Sequence, residues 1–251
     1  MDQQEIYVKS TLDGTMQPSL FYKVEGEEKR PLLVGLHTWS FDRFNQIRNM
    51  LPYAEKNRFH LLLPEFRGNN TISNPNCTFA CGSEYAKQDI MDAIEYCVED
   101  GCVDTDAIFL LGASGGGHMA LLMAGFRPTF FKAIGAFVGI TDLKKWSEEN
   151  QRYRKHVLAC CSDDEEEMIK RSPMTYIDTI AKSNTKLFHG KYDPTVPMSH
   201  SIRLFQAINE KYPDASVYLD IFDGKHEMDM EAAMRWFMSQ YNKERKEMVT
   251  G

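Results

Sequence analysis

The 251-residue sequence has no run of about 18 consecutive apolar residues, the length a membrane-spanning helix needs, so no membrane segment is expected. It also lacks a basic, apolar leader. The first ten residues, MDQQEIYVKS, are polar and acidic, so no secretory signal is read and a cytoplasmic location is expected. Base is in deficit: 29 Lys and Arg stand against 36 Asp and Glu, a formal net charge of −7. That argues against the clustered positive face of a nucleic-acid-binding protein, so no nucleic-acid partner is expected. No repeat and no low-complexity linker occurs. The densest acidic run, Ser162 to Met168, reads as a solvated helix start. Six cysteines without a leader read as free thiols of a reducing compartment. Cys77 and Cys81 are spaced C-x3-C, and Cys160 and Cys161 are adjacent. No second C-x2-C or H-x3-H accompanies them, so neither a metal nor a cofactor is expected.

What the sequence does have is apolar material, 43% of its residues, enough for a sizeable core. That material is organised as an alternation. Leu20 to Val24, Pro31 to Leu36, His60 to Leu63, Ala107 to Leu111, Lys132 to Val138, Thr185 to His189 and Ser216 to Phe222 read as strands. Helical periodicity follows most of them, over Asn45 to Asn57, after a Ser83 cap, and over Gly115 to Gly125. Strand and helix in turn predict a single α/β domain with a mostly parallel central sheet and helices on both faces. Right-handed crossovers collect the strand-to-helix turns along one edge, where ligand and catalytic groups gather. Residues 141–184 break the alternation and predict a small helical insertion over that edge.

The densest glycine usage lies in LGASGGGHMAL, residues 111–121, between an apolar strand and an apolar helix. Gly112 and Gly117 have phosphate-loop spacing, but His118 and Met119 stand where Lys and Ser or Thr are needed. Gly115, Gly117 and Ala120 spell a dinucleotide fingerprint with Asp142 downstream, yet three residues separate the strand from its first glycine, too many for the tight turn. A glycine-rich turn used only for close packing is a further reading. The favoured one is the nucleophile elbow G-x-S-x-G, residues 112–116, holding Ser114 above the sheet edge. The Gly115 N–H then sits at a helix N-terminus, where it can stabilise developing negative charge.

A serine hydroxyl is a weak nucleophile and needs a base. Of seven histidines, His60, His156, His189 and His200 fall at strand ends, in the insertion or in a helix, and His118 is expected to pack inside. His226 lies in the turn after the strand ending at Phe222, which the topology delivers to the edge holding Ser114. Asp193 follows another strand and is the expected orienting acid; Asp142 is the runner-up. The order Ser114, Asp193, His226 is that of α/β hydrolases. The second oxyanion donor is expected from the loop after Leu36, with the backbone N–H of Trp39 as candidate.

EFRG at residues 65–68, LGASGGGHMAL, RSPMTYID at 171–178, LFHGKYDPTVPMSHS at 187–201 and FDGKHEM at 222–228 together resemble the catalytic domain of the prolyl oligopeptidase family of α/β hydrolases. The resemblance runs from about Pro31 to Gln240 and implies a Ser114–Asp193–His226 triad. It also brings departures. Gly115 stands where the family often has a bulky aromatic, His37-Thr38-Trp39 where it often has H-G-G, and Lys225 where glycine commonly precedes the histidine. Only a short stretch precedes the strand at Pro31, with no place for the propeller that screens substrates in the family's peptidases. The expectation is therefore a cofactor-free serine hydrolase of carboxylic esters working through an acyl-enzyme, with a peptidase or aminoacyl hydrolase as alternative and a dinucleotide-binding protein as a lesser one. Its activity should fall as the histidine base gains a proton. Its partner is a small-molecule ester or short peptide. Phe41, Phe66, Phe79, Trp146 and Tyr192 are the expected pocket wall.

Overall fold

Alternation along the strands decides the two faces of the sheet. In strand β3 (Arg30–Leu36), Leu32, Val34 and Leu36 enter one apolar cluster while Leu33 enters the other. The computed structural model describes the backbone of residues 1–250 and the side chains of residues 1–242. Ahead of β3 lie β1 (Asp2–Lys9) and β2 (Met16–Lys23). After it come α1 (Ile47–Asn57), β4 (His60–Pro64), α2 (Glu84–Glu99), β5 (Val103–Ala113), α3 (Gly115–Phe126) and β6 (Ala133–Phe137). Four short helices follow, α4 (Leu143–Glu149), α5 (Gln151–Cys160), α6 (Glu165–Lys170) and α7 (Ile177–Ile180), then β7 (Thr185–Gly190), α8 (Ser199–Lys211), β8 (Val217–Phe222) and α9 (Met230–Thr250).

The eight strands form one sheet in the order β1-β2-β4-β3-β5-β6-β7-β8. Pairing is parallel from β4 to β8 and antiparallel at β1–β2 and β2–β4. On one face α2, α3 and α8 pack through residues such as Ile90, Met119 and Leu204; on the other α1 and α9 pack through Met50, Ala54 and Phe237. Such two-sided cover is what near-continuous apolar strands such as β4 and β6 require.

The largest differences from the sequence expectation are strand β1 and the starts of β2, at Met16 instead of Leu20, and of β5. Strand β1 was not expected, because only Ile6 and Val8 of its residues are buried and the rest is polar edge. Strand β5 begins at Val103, four residues ahead of Ala107, because Val103 pairs with Arg30 of β3 while the polar Asp104 to Asp106 stretch bulges out of register before Ile108 pairs with Leu32. The acidic run does begin a helix: Asp164 caps α6, accepting from Glu166 N at 2.8 Å. Helices α4 to α7 lie between β6 and β7; α4 to α6 share a separate cluster with Trp39 built on Ile140, Leu143, Trp146 and Val157, whereas Ile180 of α7 joins the cluster of α3 and α8.

Candidate active site

Strand β5 runs into α3 through Ser114, whose backbone sits at φ 57 and ψ −118. A side-chain-bearing residue held there costs about 1–3 kcal/mol, so the surroundings must impose it. They do so by hydrogen bonding: Ser114 N donates to Phe137 O at 2.9 Å, and Ser114 O accepts from His118 N at 2.8 Å. The neighbours are glycine because backbone presses on them. A Cβ on Gly112 would lie 2.1 Å from Gly116 O, and one on Gly116 would lie 2.6 Å from Leu36 O. Gly115, which departs from the family pattern, has the same explanation. Its Cβ would fall 2.5 Å from Trp39 N and 2.6 Å from Trp39 Cα. An aromatic has no room there because the loop after β3 occupies the space. Among the described residues, neither the Gly115 nor the Trp39 N–H is taken by a carbonyl or side chain, whereas Thr38 N donates to Asn45 Oδ1 at 3.1 Å.

Asp193 follows β7, and its side chain is wholly enclosed. A buried carboxylate needs partners, and this one has them. Oδ1 accepts the N–H groups of Thr195 at 2.8 Å and Val196 at 3.0 Å, and Oδ2 accepts from His226 Nδ1 at 2.7 Å. Burial alone would raise the carboxyl, but His189, His226 and the Val196 N–H outweigh it and hold Asp193 well below the usual carboxylate range. The ionised acid can only accept, so His226 carries its proton on Nδ1 and leaves Nε2 with a lone pair. His189 was passed over in the sequence as a strand-end residue. It lies beneath the acid, Nε2 3.4 Å from Asp193 Oδ2 and 2.8 Å from Val196 O, with Nδ1 bonded to Ser201 Oγ at 2.7 Å. Its position four residues before Asp193 was the available signal.

Ser114 and His226 line one cavity of about 460 Å³, together with Trp39, Phe41, Asn45, Tyr153 and Met228 among others. That volume suits a small ligand. Among the described residues no hydrogen bond joins Ser114 Oγ to His226; such contacts often tighten only when substrate binds. A larger groove of about 620 Å³ lies at the opposite edge, by Thr105, Phe130 and Ser216, far from the elbow.

The expected aromatic wall needs correction. Phe41 lines the cavity, but Phe66 is buried and stacks on His37 at 3.9 Å. Trp146, on α4 of the insertion itself, is buried against Trp39 and Tyr153, its Nε1 donating to Thr195 O at 2.9 Å. Phe79 stands edge-on to Tyr85 beside other cavities, and Tyr192 projects from the surface. Tyr153 and Met228 take the wall positions instead. Asp142, the runner-up acid, caps α4 through Lys145 N at 3.0 Å. His118 is enclosed: burial lowers its pKa to about 4, its bond to Arg171 O opposes that, and it stays neutral. Burial likewise lowers His200 to about 4, against the pull of Glu149. Among the described residues no group of three or more His, Cys, Asp or Glu side chains is placed to hold a metal ion, and no helix is long and apolar enough to cross a membrane.

The chain is similar to acylamino-acid-releasing enzyme 2 of Oryza sativa subsp. japonica, 22% identical over 220 residues, covering 79% of this chain and 28% of the relative. It is 27% identical over 167 residues to dipeptidyl peptidase family member 6 of Caenorhabditis elegans, covering 61% of this chain and 22% of that one. Acylaminoacyl peptidase of Pyrococcus horikoshii superposes with a TM-score of 0.71 at 21% identity, covering 90% of this chain and 37% of that chain. A putative dipeptidyl aminopeptidase IV from Bacteroides ovatus superposes with a TM-score of 0.75 at 18% identity, covering 95% and 36%. At such identities the solved structures speak for the fold, which is that of the α/β hydrolases. The chain spans only a minor part of the length of each of these relatives. The model of the prolyl oligopeptidase family matches residues 82–244, from the cap of α2 through the elbow, the Asp193 loop and His226 into α9. With more than half of the chain so matched, this protein belongs to the prolyl oligopeptidase family.

Proposed function

We propose that the protein is a serine peptidase or aminoacyl hydrolase that cleaves the amide bond of a short peptide through an acyl-enzyme. The observation that carries this is the pairing of buried Asp193 with His226 Nδ1 at 2.7 Å, opening on the cavity that Ser114 lines from its elbow. Ser114 Oγ attacks the carbonyl carbon as His226 Nε2 takes its proton. Asp193 holds the tautomer and stabilises the imidazolium. The free N–H groups of Gly115 and Trp39 receive the oxyanion. His226 then returns the proton to the leaving amine, and water repeats the sequence on the acyl-serine.

Family membership and the named activities of the relatives favour peptides over the carboxylic esters expected from the sequence. The cavity supports a small substrate, and among the described residues its lining holds no Lys or Arg to fix a carboxylate. Free cysteines support a cytoplasmic setting. The test pairs a fluorophosphonate probe with a substrate panel. Wild type is expected to label covalently and turn over aminoacyl- and dipeptidyl-naphthylamides, and Ser114→Ala to do neither. Equal labelling of both proteins excludes Ser114 as nucleophile. Turnover of nitrophenyl esters alone returns the reading to an esterase.

A further inference from the structure

A backbone N–H stabilises an oxyanion well only if it is already aimed, because a donor that must swing into place loses much of its worth to reorganisation. Trp39 lies in the irregular loop between β3 and α1, outside the sheet and helix ladders. Side chains hold that loop instead. Thr38 N donates to Asn45 Oδ1 at 3.1 Å, and Thr38 Oγ1 donates to the same oxygen at 3.0 Å. Thr38 O, at the other end of the residue, lies 3.0 Å from His37 Nδ1. Thr38 is thus gripped at its amide, its hydroxyl and its carbonyl. The plane of the trans peptide to Trp39 is set, and the Trp39 N–H points away from Thr38 O. Trp39 N abuts Gly115, where an added Cβ would lie 2.5 Å from it.

Asn45 is itself anchored. Its Oδ1 also accepts from Gln46 Nε2 at 3.0 Å, and Gln46 Oε1 accepts from Asn49 Nδ2 at 2.9 Å. Asn45 N donates to Asp42 O at 3.0 Å. Gln46 is 3% exposed, so its amide has little water to exchange for Asn45. One of the three donors meeting Asn45 Oδ1 is a backbone N–H, which can only donate, and this settles which end of the Asn45 amide is oxygen. A chain of carboxamides therefore runs from the first turn of α1 to the loop that carries Trp39. Thr38, Asn45, Gln46 and Asn49 all line the cavity that holds Ser114 and His226. A loop that needed only to be closed could be held by apolar packing. Here two donors of one residue converge on one oxygen, next to the residue whose N–H faces the elbow.

We propose that Asn45 is a positioning residue for the hydrolysis: its Oδ1 acts through Thr38 to aim the Trp39 N–H at the oxyanion. The inference rests on the reading of Ser114 as nucleophile and of the Trp39 N–H as donor. It has two consequences that a merely structural asparagine lacks. The ground-state carbonyl asks little of the donor and the oxyanion asks much, so loss of Asn45 lowers kcat and leaves KM nearly unchanged. The effect also passes through Thr38, so removing the Thr38 hydroxyl and the Asn45 amide together costs less than the sum of the two single losses.

The test measures the rate of fluorophosphonate labelling and of aminoacyl-naphthylamide turnover on the full chain, with the thermal midpoint alongside. Asn45→Leu has a similar branched shape and no acceptor. It is expected to lose about 10- to 100-fold in kcat and in labelling rate, less than the ~10²–10³ of a donor removed outright, with KM within about threefold. Asn45→Asp keeps an acceptor oxygen for Thr38 and is expected to recover most of that loss. Thr38→Val is expected to slow labelling less than Asn45→Leu does, and to add little when the two are combined. Asn45→Leu labelling at the wild-type rate, Asn45→Asp as slow as Asn45→Leu, a loss carried by KM, or additive single losses overturn the proposal. Where Asn45→Leu does not fold, Thr38→Val decides: slower labelling at unchanged KM supports the role, and labelling at the wild-type rate overturns it. A wild type that does not label overturns the reading of Ser114 and this inference with it. A wild type that labels no faster than Asn45→Leu removes this inference alone.

Discussion

Gly115→Ala sets two effects of opposite sign against each other. Gly115 is the first residue of α3, and its φ is not in the positive range, so helix propensity alone makes alanine the better residue by up to about 1 kcal/mol. Packing says the reverse. The added Cβ meets Trp39 N at 2.5 Å and Trp39 Cα at 2.6 Å, both backbone atoms of a loop pinned through Thr38 to Asn45. Overpacking of this kind costs about 1–3 kcal/mol, which exceeds the propensity gain. The loop must yield, and the Trp39 N–H moves with it. If that N–H receives the oxyanion, its displacement lowers kcat by ~10²–10³, the usual cost of losing one donor. The assay is turnover of an aminoacyl-naphthylamide, with the thermal midpoint measured alongside. Trp39→Phe is the companion variant: it trims the side chain, keeps the N–H, and is expected to lose far less kcat. A Gly115→Ala enzyme within threefold of wild type in kcat would refute the role given to Trp39.

Asp193→Asn keeps the shape of the acid but lets the amide donate toward His226 Nδ1, selecting the wrong tautomer; kcat should fall by ~10⁴ with the fold retained, and a loss below tenfold would contradict the assignment. Stability should decline in acid before the carboxylates titrate. His118 and His200 stay neutral when folded down to about 4, whereas in the unfolded chain an imidazole takes up its proton near ~6.5. The unfolded state therefore binds more protons between those values, and each buried imidazole removes about 3 kcal/mol as the pH falls through that window. Asp193, depressed in the folded state, adds its own loss only at lower pH. Urea midpoints at pH 7, 5.5 and 4.5 check this, and a constant midpoint would count against both burial assignments.

The sheet was legible wherever burial on both faces forced apolar runs, as in β3, β4 and β6. It was illegible at β1, where pairing to β2 overrides a polar sequence, and at the start of β5, where a polar bulge interrupts the ladder. The elbow could be read from order alone, because the crowding that demands glycine at Gly112 and Gly116 acts between residues close along the chain or in the adjoining strand. Ser114, Asp193 and His226 could be picked out in the same way, since a parallel sheet with right-handed crossovers sends their turns to one edge. No local rule brings the Trp39 backbone against Gly115, packs Trp146 on Trp39 or lays its indole N–H on Thr195 O. Those contacts join segments tens of residues apart. They depend on how loops settle on the packed sheet, so periodicity and spacing carry no trace of them.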